Sequence, residues 1–102
     1  IPSSLLFWGR GMSLKPEAAP LLGRVADFLR LMPCRVVIRG TPGPGLPPEV
    51  SLSRAVAVME HFTKTEHLPA ERFAVSASAP GPGQAHDEPV IRIAMLNREV
   101  YP

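Results

Sequence analysis

Proline and glycine constrain this chain more than any other residues, because they mark where regular structure has to stop. The thirteen prolines and eight glycines are unevenly spread, and the stretches 40–48 and 80–83 hold most of the excess. Proline fixes φ and removes a backbone donor, so both stretches read as loops. They are too short, and too well flanked by apolar segments, to be interdomain linkers. No internal repeat appears, and 102 residues leave room for one core only, so residues 1–102 read as a single domain.

The segments between the loops alternate in period. Residues 4–8 form a short apolar run ended by Gly9 and Gly11, which predicts a first strand with Trp8 in the core. Pro16 and Glu17 then open a helix, proline being tolerated in the first turn and an acid favoured there by the dipole. Ala18, Leu22, Val25, Leu29 and Met32 recur at three- and four-residue steps, with Arg24, Asp27 and Arg30 on the other side. Pro33 ends the segment. Residues 34–39 alternate as a half-buried strand, with Cys34, Val36 and Ile38 on one face and Arg35, Val37 and Arg39 on the other. A second helix is predicted over about 49–65, with Leu52, Ala55, Met59 and Phe62 as its apolar stripe and Arg54 off it. Residues 72–77 and 89–96 read as two further strands, and residues 97–102 as a tail.

The order β-α-β-α-β-β predicts an α/β fold of the α+β type: a two-layer sandwich with both helices on one face of a mixed sheet. Val25, Leu29, Met59 and Phe62 should then pack on Val36, Ile38, Val75 and Ile93. The other sheet face would carry Arg35, Arg39 and Arg92.

Several function classes find no support. A net charge of +2 without a basic block gives no nucleic-acid footprint. Cys34 is the single cysteine, so no internal disulfide forms, and it reads as a small buried hydrophobe rather than a nucleophile. His61 and His67 stand six apart and His86 lies in a loop, so no metal site can be written and no cofactor is expected. The Gly-rich loop lacks a P-loop ending, and Ser51 and Ser53 lack a neighbouring base. No apolar run approaches the roughly 18 residues of a membrane helix, so a membrane contact is expected only through a segment outside this chain. The start at Ile1-Pro2-Ser3-Ser4 looks like that of an excised piece, with any signal or anchor upstream.

Several motifs occur in an order that resembles the OmpA/MotB-like domain family. Phe7 and Leu14-Lys15-Pro16-Glu17-Ala18 match the family's opening strand end and helix start, and Val36-Val37-Ile38-Arg39-Gly40 its strand before a Gly-His-Thr-Asp turn. The run Val50 to Val58, which includes Leu52-Ser53-Arg54-Ala55, is similar to its second helix, and Glu71-Arg72-Phe73 to its third-strand entry. Asn97-Arg98-Glu99-Val100 resembles a family motif by letters, but periodicity favours 89–96 as the strand, so no function is carried onto Arg98.

The resemblance implies a periplasmic, bacterial cell-envelope module that is not an enzyme. Its ligand would be the diaminopimelate residue of the peptidoglycan stem peptide. Arg54 takes the position of the carboxylate-binding arginine and Ser51 that of the neighbouring serine, with Thr41 and Gly43 in the ligand-facing turn. Thr41-Pro42-Gly43 stands where the family has His-Thr-Asp, no acid follows before Glu49, and Pro47 replaces the Asn of the helix motif. Diaminopimelate binding is therefore expected to be weakened or lost. From residues alone, Arg54 equally reads as a solvated arginine or a partner of Glu49. The alternative function is a protein-interaction or homodimerisation domain of an envelope, flagellar-motor or secretion complex.

Overall fold

The computed structural model describes residues 1–9, 11–32, 34–41, 48–77, 89–95 and 98–101. Of the expected loop at 40–48, Gly40 and Thr41 instead continue a strand and Pro48 opens a helix, whereas 42–47, like the expected loop at 80–83 and His86, lie outside the described residues. Two helices, α1 (Ala18–Leu31) and α2 (Pro48–Glu60), accompany four strands: β1 (Val36–Thr41), β2 (Phe73–Ala77), β3 (Val90–Met95) and β4 (Arg98–Tyr101). The sheet order is β2-β1-β3-β4. β1 runs parallel to β2 and antiparallel to β3, and β4 is antiparallel to β3, so the sheet is mixed as predicted.

Alternation fixes which sheet face is covered. The register sets Val36 opposite Met95, Ile38 opposite Ile93 and Gly40 opposite Ile91, and all six residues are buried. Ala18, Leu22, Val25, Ala26 and Leu29 of α1 and Ala55 and Val58 of α2, with Phe62 just beyond, close over that face in one cluster. Met59 and Val75 pack against its margin. The opposite face carries Arg39 directly across from Arg92.

The C-terminal end of α1 is tied down by an arginine on the far side of the sequence. Arg72 donates from Nε to the Cys34 carbonyl at 3.0 Å and from Nη2 to the carbonyls of Leu29 and Met32. A cation at the negative end of the helix dipole thereby satisfies carbonyls that the helix leaves without partners. Met32, predicted on the buried stripe, falls at the extended C-cap and is exposed. Beyond α2, a π-turn at His61–Thr65 and the left-handed His67 (φ 59°) reverse the chain so that Leu68 is buried. No helix of the described residues is long and apolar enough to cross a membrane.

Three predicted segments take another form. Residues 4–8 are not a strand: Ser3–Leu5 form a 3-10 turn after Pro2, and the buried residues are the adjacent pair Leu6 and Phe7. Neighbours cannot both face inward from an extended backbone, and Trp8 is accordingly 55% exposed rather than core. Ile1 exchanges two backbone hydrogen bonds with Ile91, at 2.8 Å each, and Ser3 N donates to the Pro89 carbonyl. Of the stripe predicted for the second helix, Ala55 and Phe62 are buried and Met59 is half-buried, but Leu52 is exposed, and Ser51, Arg54 and Val58 complete the buried face. Finally, within the expected tail at 97–102, residues 98–101 form a strand. Val90–Met95 is the inner strand that periodicity predicts, and Arg98–Tyr101 adds to its edge across a register shift at Ile93/Ala94. The ring of Tyr101 meets Phe28 of α1 edge-on at 6.0 Å, a contact that hydrophobic periodicity in four residues does not reveal.

Gly40 sets the distance between α2 and the sheet. A Cβ there would stand 2.1 Å from the Ser51 carbonyl oxygen and 2.7 Å from its carbon, both backbone atoms of a helix. Gly40→Ala is therefore expected to cost about 3 kcal/mol or more, because α2 has to move away from the core. Urea unfolding checks this, and an alanine variant of unchanged stability would show that the contact is relaxed.

Candidate functional site

Residues three apart on a helix share a face, so Ser51 and Arg54 of α2 lie one turn apart on the side turned to the core. Ser51 is 1% exposed, pressed by its backbone onto Gly40, and its hydroxyl has no hydrogen-bond partner among the described residues. Arg54 is 2% exposed. Neither the solvated arginine nor the Glu49 ion pair that its sequence position suggests is present: Arg54 is covered, and Glu49 is exposed.

The guanidinium is held by the N-terminal segment. Residues 6–9 and 11–15 close on each other, with Phe7 bridged to Leu14, Lys15 N donating to the Leu6 carbonyl at 2.7 Å, and Gly11 N donating to the Trp8 carbonyl. Arg54 Nε donates to the Gly11 carbonyl at 2.9 Å and Nη2 to the Gly9 carbonyl at 3.0 Å. Gly9 has φ +46°, a left-handed backbone that glycine adopts without steric penalty. The face of the buried Phe7 ring lies 5.0 Å from Arg54 Cζ, a cation–π contact. Lys15 makes a similar contact, its Nζ 5.2 Å from the exposed Trp8 ring.

Electrostatically this is an unbalanced site. Among the described residues no carboxylate forms an ion pair with Arg54; the ion pairs there are those of Arg30 with Asp27 and Glu66 and of Lys64 with Glu60. Desolvation by burial pushes the guanidinium pKa below its ordinary value. Arginine still stays protonated at neutral pH. A buried cation is thus met by two carbonyl dipoles and a ring. The Nε/Nη2 edge is occupied by the two glycine carbonyls, and the Nη1/Nη2 end retains donors without partners among the described residues.

The other candidate residues are not all brought to this point. Thr41 ends β1 opposite Val90, and strand alternation sets it on the side of Arg39, away from Gly40 and Ser51. It is 8% exposed and its hydroxyl has no hydrogen-bond partner among the described residues. Gly43 lies outside the described residues. Cys34 is half-buried beside a groove lined by Arg30, Arg35, Pro69, Glu71 and Arg72 at the opposite end of the β1–β2 pair. Among the described residues no group of three His, Cys, Asp or Glu is placed to hold a metal ion.

Sequence reasoning did not find Phe7, Gly9 and Gly11 as partners of Arg54. Two glycines flanking one residue signal a tight turn, but nothing in the spacing says which side chain 43 positions later will fill it.

No family model and no curated protein matches the chain. Solved structures do. The cell wall anchor of the type VI secretion system from Pseudomonas aeruginosa is 26% identical, with a TM-score of 0.73 over 91% of this chain and 76% of that one. The periplasmic domain of Helicobacter pylori MotB (residues 78–256) is 18% identical, with a TM-score of 0.74 over 93% and 72%. The OmpA-like domain of FopA1 from Francisella tularensis is 16% identical, with a TM-score of 0.70 over 89% and 69%. At the identities of the last two, the likeness is one of fold.

Because Arg54 supplies both donors to the loop carbonyls, Arg54→Ala should lower stability by about 2 kcal/mol. Arg54→Lys, which cannot fork to two carbonyls, should recover only part of that loss. Chemical denaturation measures both, and an Arg54→Ala variant as stable as the parent would mean that the guanidinium does not hold the loop.

Proposed function

We propose that this chain, whose fold is similar to the OmpA-like and MotB domains of solved structure, is a non-enzymatic module of the bacterial cell envelope, working in the periplasm. In this reading Arg54 is the residual carboxylate anchor for the peptidoglycan stem peptide, and binding of diaminopimelate is weak. The supporting observation is Arg54 itself, a buried guanidinium with an unused donor end and no carboxylate partner among the described residues. The stretch from Gly40 to Pro48 contains no acid. An ammonium group brought beside this cation would lose its hydration without gaining a counter-charge, which cancels much of what the carboxylate gains. The solved neighbours described as a cell wall anchor and as periplasmic domains support the cellular setting.

A second reading is favoured by the coverage of Arg54. A domain whose anchor is 2% exposed can keep the fold and serve a protein partner or a second copy of itself, through the sheet face opposite the helices, where exposed Arg39 stands in β1.

NMR titration with soluble peptidoglycan fragments separates the two. Millimolar binding that disappears in Arg54→Ala, and that strengthens about tenfold in Gly43→Asp, is the expected result. Tight binding that survives Arg54→Ala would refute the assignment of the site, and a folded domain that binds no fragment at all would favour the interaction reading.

A further inference from the structure

The end of α1 and the entries into β1 and β2 enclose a groove of about 430 Å³, lined by Arg30, Cys34, Arg35, Pro69, Glu71 and Arg72. It lies at the far end of β1 from Gly40 and Ser51. Arg30 already pairs with Asp27 and Glu66. Arg72 is held differently: its Nε and Nη2 are fixed on the carbonyls of Cys34, Leu29 and Met32, which are neutral groups and leave its charge uncompensated. An arginine already immobilised in this way loses little side-chain entropy when an acid pairs with it. Arg35 beside it is exposed, and among the described residues no carboxylate forms an ion pair with Arg35 or Arg72. A second hollow shares Arg35, Glu71 and Arg72 with the first and continues past Val37 and Ala74, so the two are parts of one trough. Val37 alternates away from buried Val36 and Ile38, and exposed Ala74 is its register partner in β2. The outer part of the trough is therefore apolar, and it opens on the sheet face opposite the helices.

We propose that this trough docks an extended acidic segment of a partner protein, with a carboxylate on Arg35 and Arg72 and the neighbouring small apolar side chain against Val37 and Ala74. A guanidinium matches a carboxylate with two parallel N–H groups, and the apolar stretch beyond it matches a side chain rather than water. A lone inorganic anion would fill only the point where the two parts meet. Glu71 stands at that point and opposes the incoming acid, so it limits how tightly the segment is held. The docking site is separate from Arg54 and stands whether or not that residue binds the stem peptide.

The probe is a fluorescent peptide of alternating aspartate and valine with blocked ends, titrated with the chain and followed by anisotropy; its control carries asparagine for every aspartate. The aspartate peptide should bind, the control should not, and added salt should weaken the binding. Arg72 also caps α1, so the charge is changed at exposed Arg35 instead, where the fold is spared. Arg35→Glu should weaken binding about tenfold, and Glu71→Gln should strengthen it several-fold. Cys34 is the single cysteine and lines the groove, so the bound peptide should slow its alkylation. Equal binding of the asparagine peptide, or an affinity unchanged by Arg35→Glu, would overturn the pairing with arginine. Binding that leaves Cys34 alkylation unaltered would overturn the location. Inorganic phosphate that binds as tightly as the peptide and displaces it would overturn the assignment to a protein segment. A folded chain that binds no peptide would overturn the proposal outright.

Discussion

A guanidinium removed from water has to be compensated by something, and around Arg54 that requirement organises the N-terminal third of the domain. Two carbonyls and an aromatic face are weak substitutes for a carboxylate, so they have to be well aimed. The left-handed backbone at Gly9, the turn from Trp8 to Gly11 and the buried Phe7 ring together present them. Arg54 can reach them because α2 lies against β1 at Gly40, where its backbone comes closer than any side chain would allow. Glycine at one position on the sheet and a cation on the facing helix are thus parts of one arrangement.

Much of the fold is legible in the sequence where burial follows a simple period. The α1 stripe from Ala18 to Leu29 and the alternation of Val36 and Ile38 with Ile91, Ile93 and Met95 all appear where apolar spacing predicts them. Periodicity also decides correctly that Val90–Met95, rather than the segment matched by letters, is the inner strand. It fails where burial is not apolar. On α2 the buried positions include Ser51 and Arg54, so a stripe drawn through hydrophobic residues alone rotates onto exposed Leu52. It fails again at the ends of the chain. There the segments from Ile1 to Phe7 and from Arg98 to Tyr101 take their shape from the edge of β3 and from Phe28, partners distant in sequence.

The site was legible as chemistry and not as geometry. Motif order singles out Arg54 and Ser51, and the structure sets them on one face of α2, both buried. It does not bring Thr41 to the same side, because strand alternation separates Thr41 from Gly40. Another arginine of the motif set, Arg72, serves the fold: it caps α1 and holds the residue before β1, work invisible in a segment read only as a strand entry. The likeness to the cell wall anchor and to the MotB periplasmic domain is carried by the α+β framework.

The state of that cation is directly observable. Side-chain NMR of the Arg54 Nε–H, with hydrogen exchange in the ligand-free domain, reports whether the guanidinium is fixed and shielded from water. The account predicts a single resolved Nε–H signal with slow exchange, coupled to protection of the Gly11 amide. A rapidly exchanging, motionally averaged signal would show that Arg54 is solvated and that neither the loop clamp nor the unbalanced buried charge exists.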